Sequence, residues 1–363
     1  MKKLLEEQNI LFNDFLSCCT RDLQVYSLQD SDKWDEIVKS FKDYDIYYLS
    51  GYLKCLKIIG DGEPLLFYYE DTNCRGINVV LKRDISSDKN FDNLEKNTYF
   101  DLTSPYGYGG WIIEGESTEK LFSKYSEWCK QNNIVAEFVR FHPLIGNQKA
   151  CERAYDVIAL GQVVAMDCTS EDVIWGNLSS KNRNQVKKSV KEGVSISIGK
   201  LEKLDRFIEI YEQTMIRNGA EDYYFFDREY YDCLFNELKD NAVIFSSEYQ
   251  GETISSAIIF YCNDKANYHL SGATRKYNGL CESQQLLYEV AKWANKNNCK
   301  SFLLGGGVGS KEDSLYLFKK GFNKQNSYQF YIGKKIHNDE IYNKLVGMRK
   351  DIDNPNFFPK YRG

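Results

Sequence analysis

The chain has 363 residues, 42% hydrophobic and 27% charged, a length that fits two domains each able to bury its own core. Its 47 Lys+Arg against 52 Asp+Glu give a net charge of −5, which excludes a bulk polybasic nucleic-acid binder and confines any nucleic-acid contact to a local patch. Eleven Cys without a CxxC pair, and only three His (His142, His269 and His337), offer little to a metal, so none is expected; the scattered thiols read as reduced and mostly buried.

From the N-terminus, MKKLLEEQNI starts basic, but Glu6, Glu7 and Gln8 interrupt any apolar core of a secretion signal. The longest apolar runs, such as 64–69 and 257–261, fall short of the roughly 20 residues that cross a bilayer. A cytoplasmic location without a transmembrane segment is expected, and peripheral membrane contact stays open. Residues 65–70 and 76–82 read as a hairpin. They are followed by a strand over 99–108 that ends in a Gly-containing turn, an amphipathic helix from 121 closed by Asn132-Asn133, and a short apolar strand over 134–141. The same order recurs downstream: 242–248 and 253–262 around the turn Tyr249-Gln250-Gly251-Glu252, a strand over 267–274, a helix from 286 closed by Asn297-Asn298, and a strand over 300–304. A shift of 165 superposes LFSKYSEWCKQNNIVAEF (121–138) on LLYEVAKWANKNNCKSFL (286–303), pairing Leu121 with Leu286, Trp128 with Trp293 and, upstream, Gly107 with Gly272. Two homologous units follow from this repeat. Aromatic residues reach 15%, with 27 Tyr, which codon bias and a polar aromatic-lined groove both explain.

Strand, strand, strand, Trp-bearing helix, strand resembles the GNAT acyltransferase fold, and two tandem copies resemble the FemABX family of peptidoglycan aminoacyl ligases. Four strings carry the likeness: SPYGYGG at 104–110, VIWGNLSSKNRNQVKKSVKEG at 173–193, LYLFKKGF at 315–322 and FFPKYR at 357–362. The fold expected is α/β (α+β): two tandem GNAT-like units, each a mixed, mainly antiparallel sheet flanked by helices. The first unit is expected over 1–160 on the acceptor side, the second, catalytic one over 161–335, with a C-terminal helix and tail over 336–363 packing back on the first unit.

The resemblance also implies an activity: amide formation by transfer of an amino acid from aminoacyl-tRNA to an amine of a peptidoglycan precursor, a UDP-muramyl peptide or lipid-linked form. With an ester already activated, the protein must position the amine and stabilise the oxyanion. Lys319, after Phe318, occupies the family's Phe-Lys position, and Tyr268 lies on the strand that the fold exposes to substrate. Tyr106, Tyr108, Arg228 and Ser271 are the expected acceptor contacts. Arg183, Lys187 and Lys191, at i, i+4 and i+8, make a stripe suited to tRNA or diphosphate, with Val186 and Val190 on another face. No cofactor is expected with this donor. If the donor is instead acetyl-CoA or another acyl-CoA, acting on an amino sugar or small amine, the pyrophosphate loop falls at RKYNGLC (275–281), with Arg275, Asn278 and Gly279. That loop departs from the usual glycine spacing, and an inactive tandem-GNAT binding module is a further alternative. The loop Gly305-Gly306-Gly307-Val308-Gly309 lacks a Walker Lys-Ser/Thr and reads as a flexible loop lining the site.

Overall fold

The structure, a computed structural model, describes residues 23–277, 279–349, 351–352, 354 and 356–363. In chain order the elements are β1 (Gln24–Tyr26), α1 (Ser31–Ser40), α2 (Ser50–Ile58), β2 (Glu63–Glu70), β3 (Cys74–Asp84), β4 (Phe100–Thr103), β5 (Ile112–Gly115), α3 (Glu119–Gln131), β6 (Ile134–Arg140) and β7 (Asp156–Asp167). Then follow α4 (Glu171–Asn177), α5 (Ser180–Lys191), β8 (Ser195–Gly199), α6 (Leu204–Asn218), α7 (Arg228–Glu237), β9 (Ala242–Tyr249), β10 (Glu252–Cys262) and β11 (Lys265–Ala273). The last are α8 (Glu282–Lys296), β12 (Ser301–Gly305), α9 (Ser314–Lys320), β13 (Tyr328–Ile336) and α10 (Asp339–Met348).

Two units result. One holds the described residues up to Lys42, Asp61–Ile158 and Tyr331–Gly363; the other holds Asp43–Gly60 and Ala159–Phe330. The boundaries expected from the sequence put 43–60 in the first unit, but this segment belongs to the second. Tyr52 packs edge-on against Phe260 and His269, and the fully buried Asp45 carboxylate accepts both of its 3.0 Å bonds from Asn267 Nδ2. Nothing in 43–60 beyond its apolar character announces that partner, since the pairing spans more than two hundred residues.

Within the first unit β1, β2, β3 and β4 pair antiparallel in that order, β4 pairs parallel with β6, and β6 pairs antiparallel with β13; β5 runs beside β3. The second unit repeats this with β8, β9, β10 and β11 antiparallel, β11 parallel to β12, and β12 antiparallel to β7. In each, the helix α3 or α8 makes the crossover that a parallel pair requires. Its Trp serves the same role twice: Trp128 meets Phe67 of β2 at 4.7 Å, and Trp293 meets Phe245 of β9 at 5.5 Å. The repeat is not uniform, however. The shift of 165 holds for the helices, whose last residues are Gln131 and Lys296, while β3 and β10 start 178 apart, at Cys74 and Glu252. The difference is the connection to the next strand, long after β3 and only Asn263-Asp264 after β10. The strand expected over 99–108 is also shorter, because β4 ends at Thr103 and 104–110 becomes a turn.

The tail is anchored by charge. Asp101 on β4, fully buried, accepts from Arg83 Nε at 2.8 Å, Arg362 Nε at 2.5 Å and Tyr361 Oη at 3.1 Å. Arg362 Nη1 also reaches Asp88 at 3.3 Å. Among the described residues no helix is long and apolar enough to cross a membrane, and no three His, Cys, Asp or Glu side chains cluster as metal ligands. Arg362→Ala leaves Asp101 with Arg83 and Tyr361 but without its strongest donor. It is expected to lower the unfolding free energy by about 1.5–3 kcal/mol, the range for a hydrogen bond to a charged group, read from urea titration against wild type.

Candidate active site

The second unit opens where its parallel pair gives out. β11 and β12 are paired only over Lys265–Asn267 and Ser301–Leu303, yet β11 continues to Ala273 along β10 alone. A bulge helps. Ile258 faces Leu270 and Ile259 faces Tyr268, so His269 is the extra residue, and an extra residue bends its strand. The first unit has the same parallel pair but closes it. Ser104 N donates to Phe138 O at 3.0 Å, Ser104 Oγ accepts from Arg140 N at 3.0 Å, and Gly109 N reaches Arg140 O at 2.8 Å. Gly109 must be glycine, since a Cβ there would stand 2.9 Å from Ser104 Cβ.

At the C-terminal end of β12 the chain turns through Gly305, with φ +81, and enters α9. The turn is pinned rather than flexible: Asp313 caps α9 by accepting from Tyr316 N at 2.9 Å and also takes Val308 N at 3.0 Å. A side chain at Gly307 would stand 2.3 Å from that carboxylate. These backbone bonds, led by Tyr316 N, hold the Asp313 carboxyl below its ordinary value. The cap sets the phase of α9, and that phase turns Lys319 inward. Lys319 is 8% exposed, its Nζ donates to Gly306 O at 2.8 Å, and burial lowers its ammonium to about 8, with Asp313 opposing. Lys320 points elsewhere, donating to Asn326 O at 3.0 Å. Phe318 packs on the second unit's core beside Phe322.

Tyr268 is the first β11 residue past the paired stretch. It packs edge-on against Phe302 and is hydrogen-bonded by Ser271, and burial raises its phenol. The next residue, His269, belongs to none of the motifs in the sequence. It is stacked on Phe260 at 4.1 Å and bonded to Tyr230 Oη at 3.0 Å, and burial drops it to about 3, so the imidazole is neutral at physiological pH. The one imidazole on this strand is its only sequence signal.

The remaining candidates are distributed. Tyr106 and Tyr108 sit in the first unit's closed turn, Tyr108 buried with its ring 5.2 Å from His142 and Tyr106 half-buried. Arg228 opens α7 on the surface, its guanidinium held by Asp205 at 2.6 Å and Asp232 at 2.8 Å. In α5, Arg183 donates to Leu178 O at 2.6 Å and so secures the preceding turn. Lys187 lies 5.7 Å over the Trp175 ring, and Lys191 is exposed. The helix buries Asn182, Val186 and Ser189, whereas Val190 is exposed, so the apolar stripe expected from Val186 and Val190 holds only at Val186. Arg275 and Gly279 are exposed, and Asn278 lies outside the described residues. Where a pyrophosphate would meet the N-terminus of α8, the chain supplies Glu282, whose carboxyl is buried and raised by that burial.

Lys319 carries a cost that can be measured. The unfolded chain keeps the ordinary lysine value of 10.5 while the folded one has about 8. The penalty is therefore complete below pH 8 and fades as pH climbs to 10.5; the gap corresponds to about 3 kcal/mol. Lys319→Met, similar in length and uncharged, is expected to raise the unfolding free energy at pH 7 by about 1–3 kcal/mol, with the gain shrinking at pH 9 and 10. A variant less stable than wild type at pH 7 would contradict the burial argument.

None of the curated proteins compared with the chain matches it. Solved structures do. FemX aligns at 13% identity with TM-score 0.67, covering 89% of this chain and 99% of its own. A conserved protein of unknown function from Bacteroides thetaiotaomicron aligns at 11% identity and TM-score 0.59, over 86% and 98%. L-PGS from Bacillus licheniformis aligns at 13% identity and TM-score 0.52, over 88% and 96%. At such identities the likeness is one of fold. The model of the FemAB family matches residues 149–250 and 244–333, which together span just over half of the chain and contain the open strand pair, the glycine turn and Lys319. The chain belongs to the FemAB family.

Proposed function

We propose that the protein is an acyltransferase that forms an amide, taking an amino acid from aminoacyl-tRNA and placing it on an amine of a peptidoglycan precursor such as a UDP-muramyl peptide. The observation that carries this reading is Lys319, a buried ammonium with a lowered pKa of about 8 whose Nζ is bonded to Gly306 O just past β12, the strand that pairs with β11 only over Ser301–Leu303. An ester needs no nucleophilic side chain. The acceptor amine attacks the ester carbonyl, the carbonyl oxygen takes up negative charge, and the ribose hydroxyl leaves. A cation already stripped of water by the fold answers that charge without reorganising, which is where a preformed donor is worth most. Membership of the FemAB family and the fold shared with FemX support the same chemistry.

The acyl-CoA alternative finds less support. A pyrophosphate at the start of α8 would meet the buried Glu282 carboxyl, a like charge, with Arg275 turned to solvent. The binding-module alternative has no use for a desolvated lysine. For tRNA, the exposed Lys187 and Lys191 are better placed than Arg183, whose guanidinium already serves Leu178.

Incubation with UDP-muramyl pentapeptide and a mixed pool of aminoacyl-tRNAs is expected to yield an aminoacylated muropeptide, detected by mass spectrometry, whereas acetyl-CoA yields no product. Lys319→Met should slow this transfer by about 100-fold or more, the usual loss for one oxyanion donor, and the wild-type rate should fall as pH rises through about 8. Transfer unaffected by Lys319→Met would remove the assignment. The double variant Lys187→Ala/Lys191→Ala should weaken tRNA binding and flatten its log–log dependence on salt by up to about 2, near 0.7–0.9 for each phosphate that is no longer neutralised.

A further inference from the structure

Helices α2 and α7 of the second unit cross closely at Gly51, where a Cβ would stand 3.1 Å from both Glu237 O and Leu238 Cδ2. An ion pair, Lys54 Nζ to Glu237 Oε2 at 2.8 Å, fixes their register. One turn after Gly51 comes Cys55, and one turn before Glu237 comes Cys233. Their sulfurs are 3.4 Å apart, and Cys55 Sγ also contacts Gly51 O at 3.2 Å. A disulfide needs about 2.05 Å between sulfurs, so the two sulfurs must close by about 1.3 Å to bond.

We propose that Cys55 and Cys233 form a modification site, a dithiol that closes to a reversible disulfide when a peroxide or a low-molecular-weight disulfide reaches it. The two thiols are unequal. Cys233 is partly exposed, and its thiol is lowered by the hydrogen bond from Cys55 and by Lys54, against Glu237 and Glu229. Cys55 is buried, and its thiol is raised by the same hydrogen bond and by burial. Cys233 is therefore the attacking group and Cys55 the resolving one. With hydrogen peroxide, the Cys233 thiolate bonds to one oxygen as the O–O bond breaks. Hydroxide leaves and is protonated to water, and Cys233 becomes a sulfenic acid. Cys55 sulfur then bonds to Cys233 sulfur, the S–O bond breaks, and the departing hydroxide takes the Cys55 proton as a second water. In sum, two thiols and one peroxide give one disulfide and two waters. With a disulfide oxidant, two successive exchanges give the same bond and two small thiols.

The closed bond would tie together the two helices that wall a cavity of about 270 Å³, lined by Ile58 at the end of α2 and Ile59 just after it, by Glu229 and Tyr230 of α7, and by Asp222 and Phe226 from the segment that leads into α7. The inference stands apart from the acyl-transfer reading, since it rests on the helix crossing alone.

The test uses the reduced full chain, treated with hydrogen peroxide, alkylated, digested without reduction and mapped by mass spectrometry. The expected product is a pair of peptides joined through Cys55 and Cys233, two hydrogens lighter than their sum, that reverts to two alkylatable peptides with dithiothreitol. In Cys55→Ser, Cys233 should instead advance to sulfinic acid, and in Cys233→Ser, Cys55 should stay as alkylatable as before treatment. Two wild-type results would overturn the proposal: Cys233 fully alkylatable after a dose that oxidises free glutathione, or Cys233 accumulating as sulfinic acid beside an unlinked Cys55. Both are read on the unaltered chain, so neither depends on a variant folding.

Discussion

The short parallel register of β11 with β12 is the constraint on which the second unit's candidate site depends. A parallel strand pair bonds along its whole length unless something parts it, and here the bulge at His269 turns β11 toward β10 just beyond Asn267. The neutral imidazole keeps this possible, because a charged one between Phe260 and Tyr52 would have to be solvated. The first unit shows the alternative outcome from the same architecture. There, Ser104 and Gly109 supply the bonds that close the pair, and the bulge lies on the other strand, at Val135, where the pair begins. Duplication gave two equivalent positions, and local backbone pairing decides which of them is open.

Just past the end of β12 the fold then buries a charge at real energetic cost. Lys319 is inward because α9 begins where Asp313 caps it, and α9 begins there because glycines let the chain fold tightly over that carboxylate. The sequence from Gly305 to Lys319 is thus one device, in which a glycine turn, a cap and a short helix cooperate to hold an ammonium away from water. A fold selected only for stability would place a methionine at 319. That it places a lysine is the strongest physical argument that the position serves a reaction.

Much of this was legible in the residues, and the rest was not for identifiable reasons. The paired Trp helices announced themselves by periodicity and shared spacing, since local helix signals survive duplication. Phe318-Lys319 was readable only as a motif. Its burial depends on the cap at Asp313, which Asp313-Ser314 signals locally but which five neighbouring loop residues, four of them glycine, obscure. Val190 is exposed although it shares a face with Val186, because a four-residue spacing defines a face without saying whether anything covers it. The membership of 43–60, the Asp45–Asn267 bond and the Cys55–Cys233 contact are all long-range pairings. No periodicity or turn chemistry encodes such pairings; they emerge only when the sheet has set the positions of its helices.

The same long-range pairings shape how the chain must assemble. Neither unit is continuous: the first borrows Tyr331–Gly363, with most of β13, α10 and the tail, from the C-terminal end, and the second borrows Asp43–Gly60 from upstream. Asp101 therefore spends synthesis without Arg362, its last donor, and the second unit's Asn267 has a partner waiting from an early stage. Closing such distant contacts costs loop entropy before any of them is rewarded, which favours late and cooperative completion of the first unit. An isolated first unit cut near residue 158 would lack a sheet strand and leave a buried carboxylate without its strongest partner. The two units are for that reason separable as architecture but not as pieces of chain, and a duplicated fold has become a single interdependent molecule.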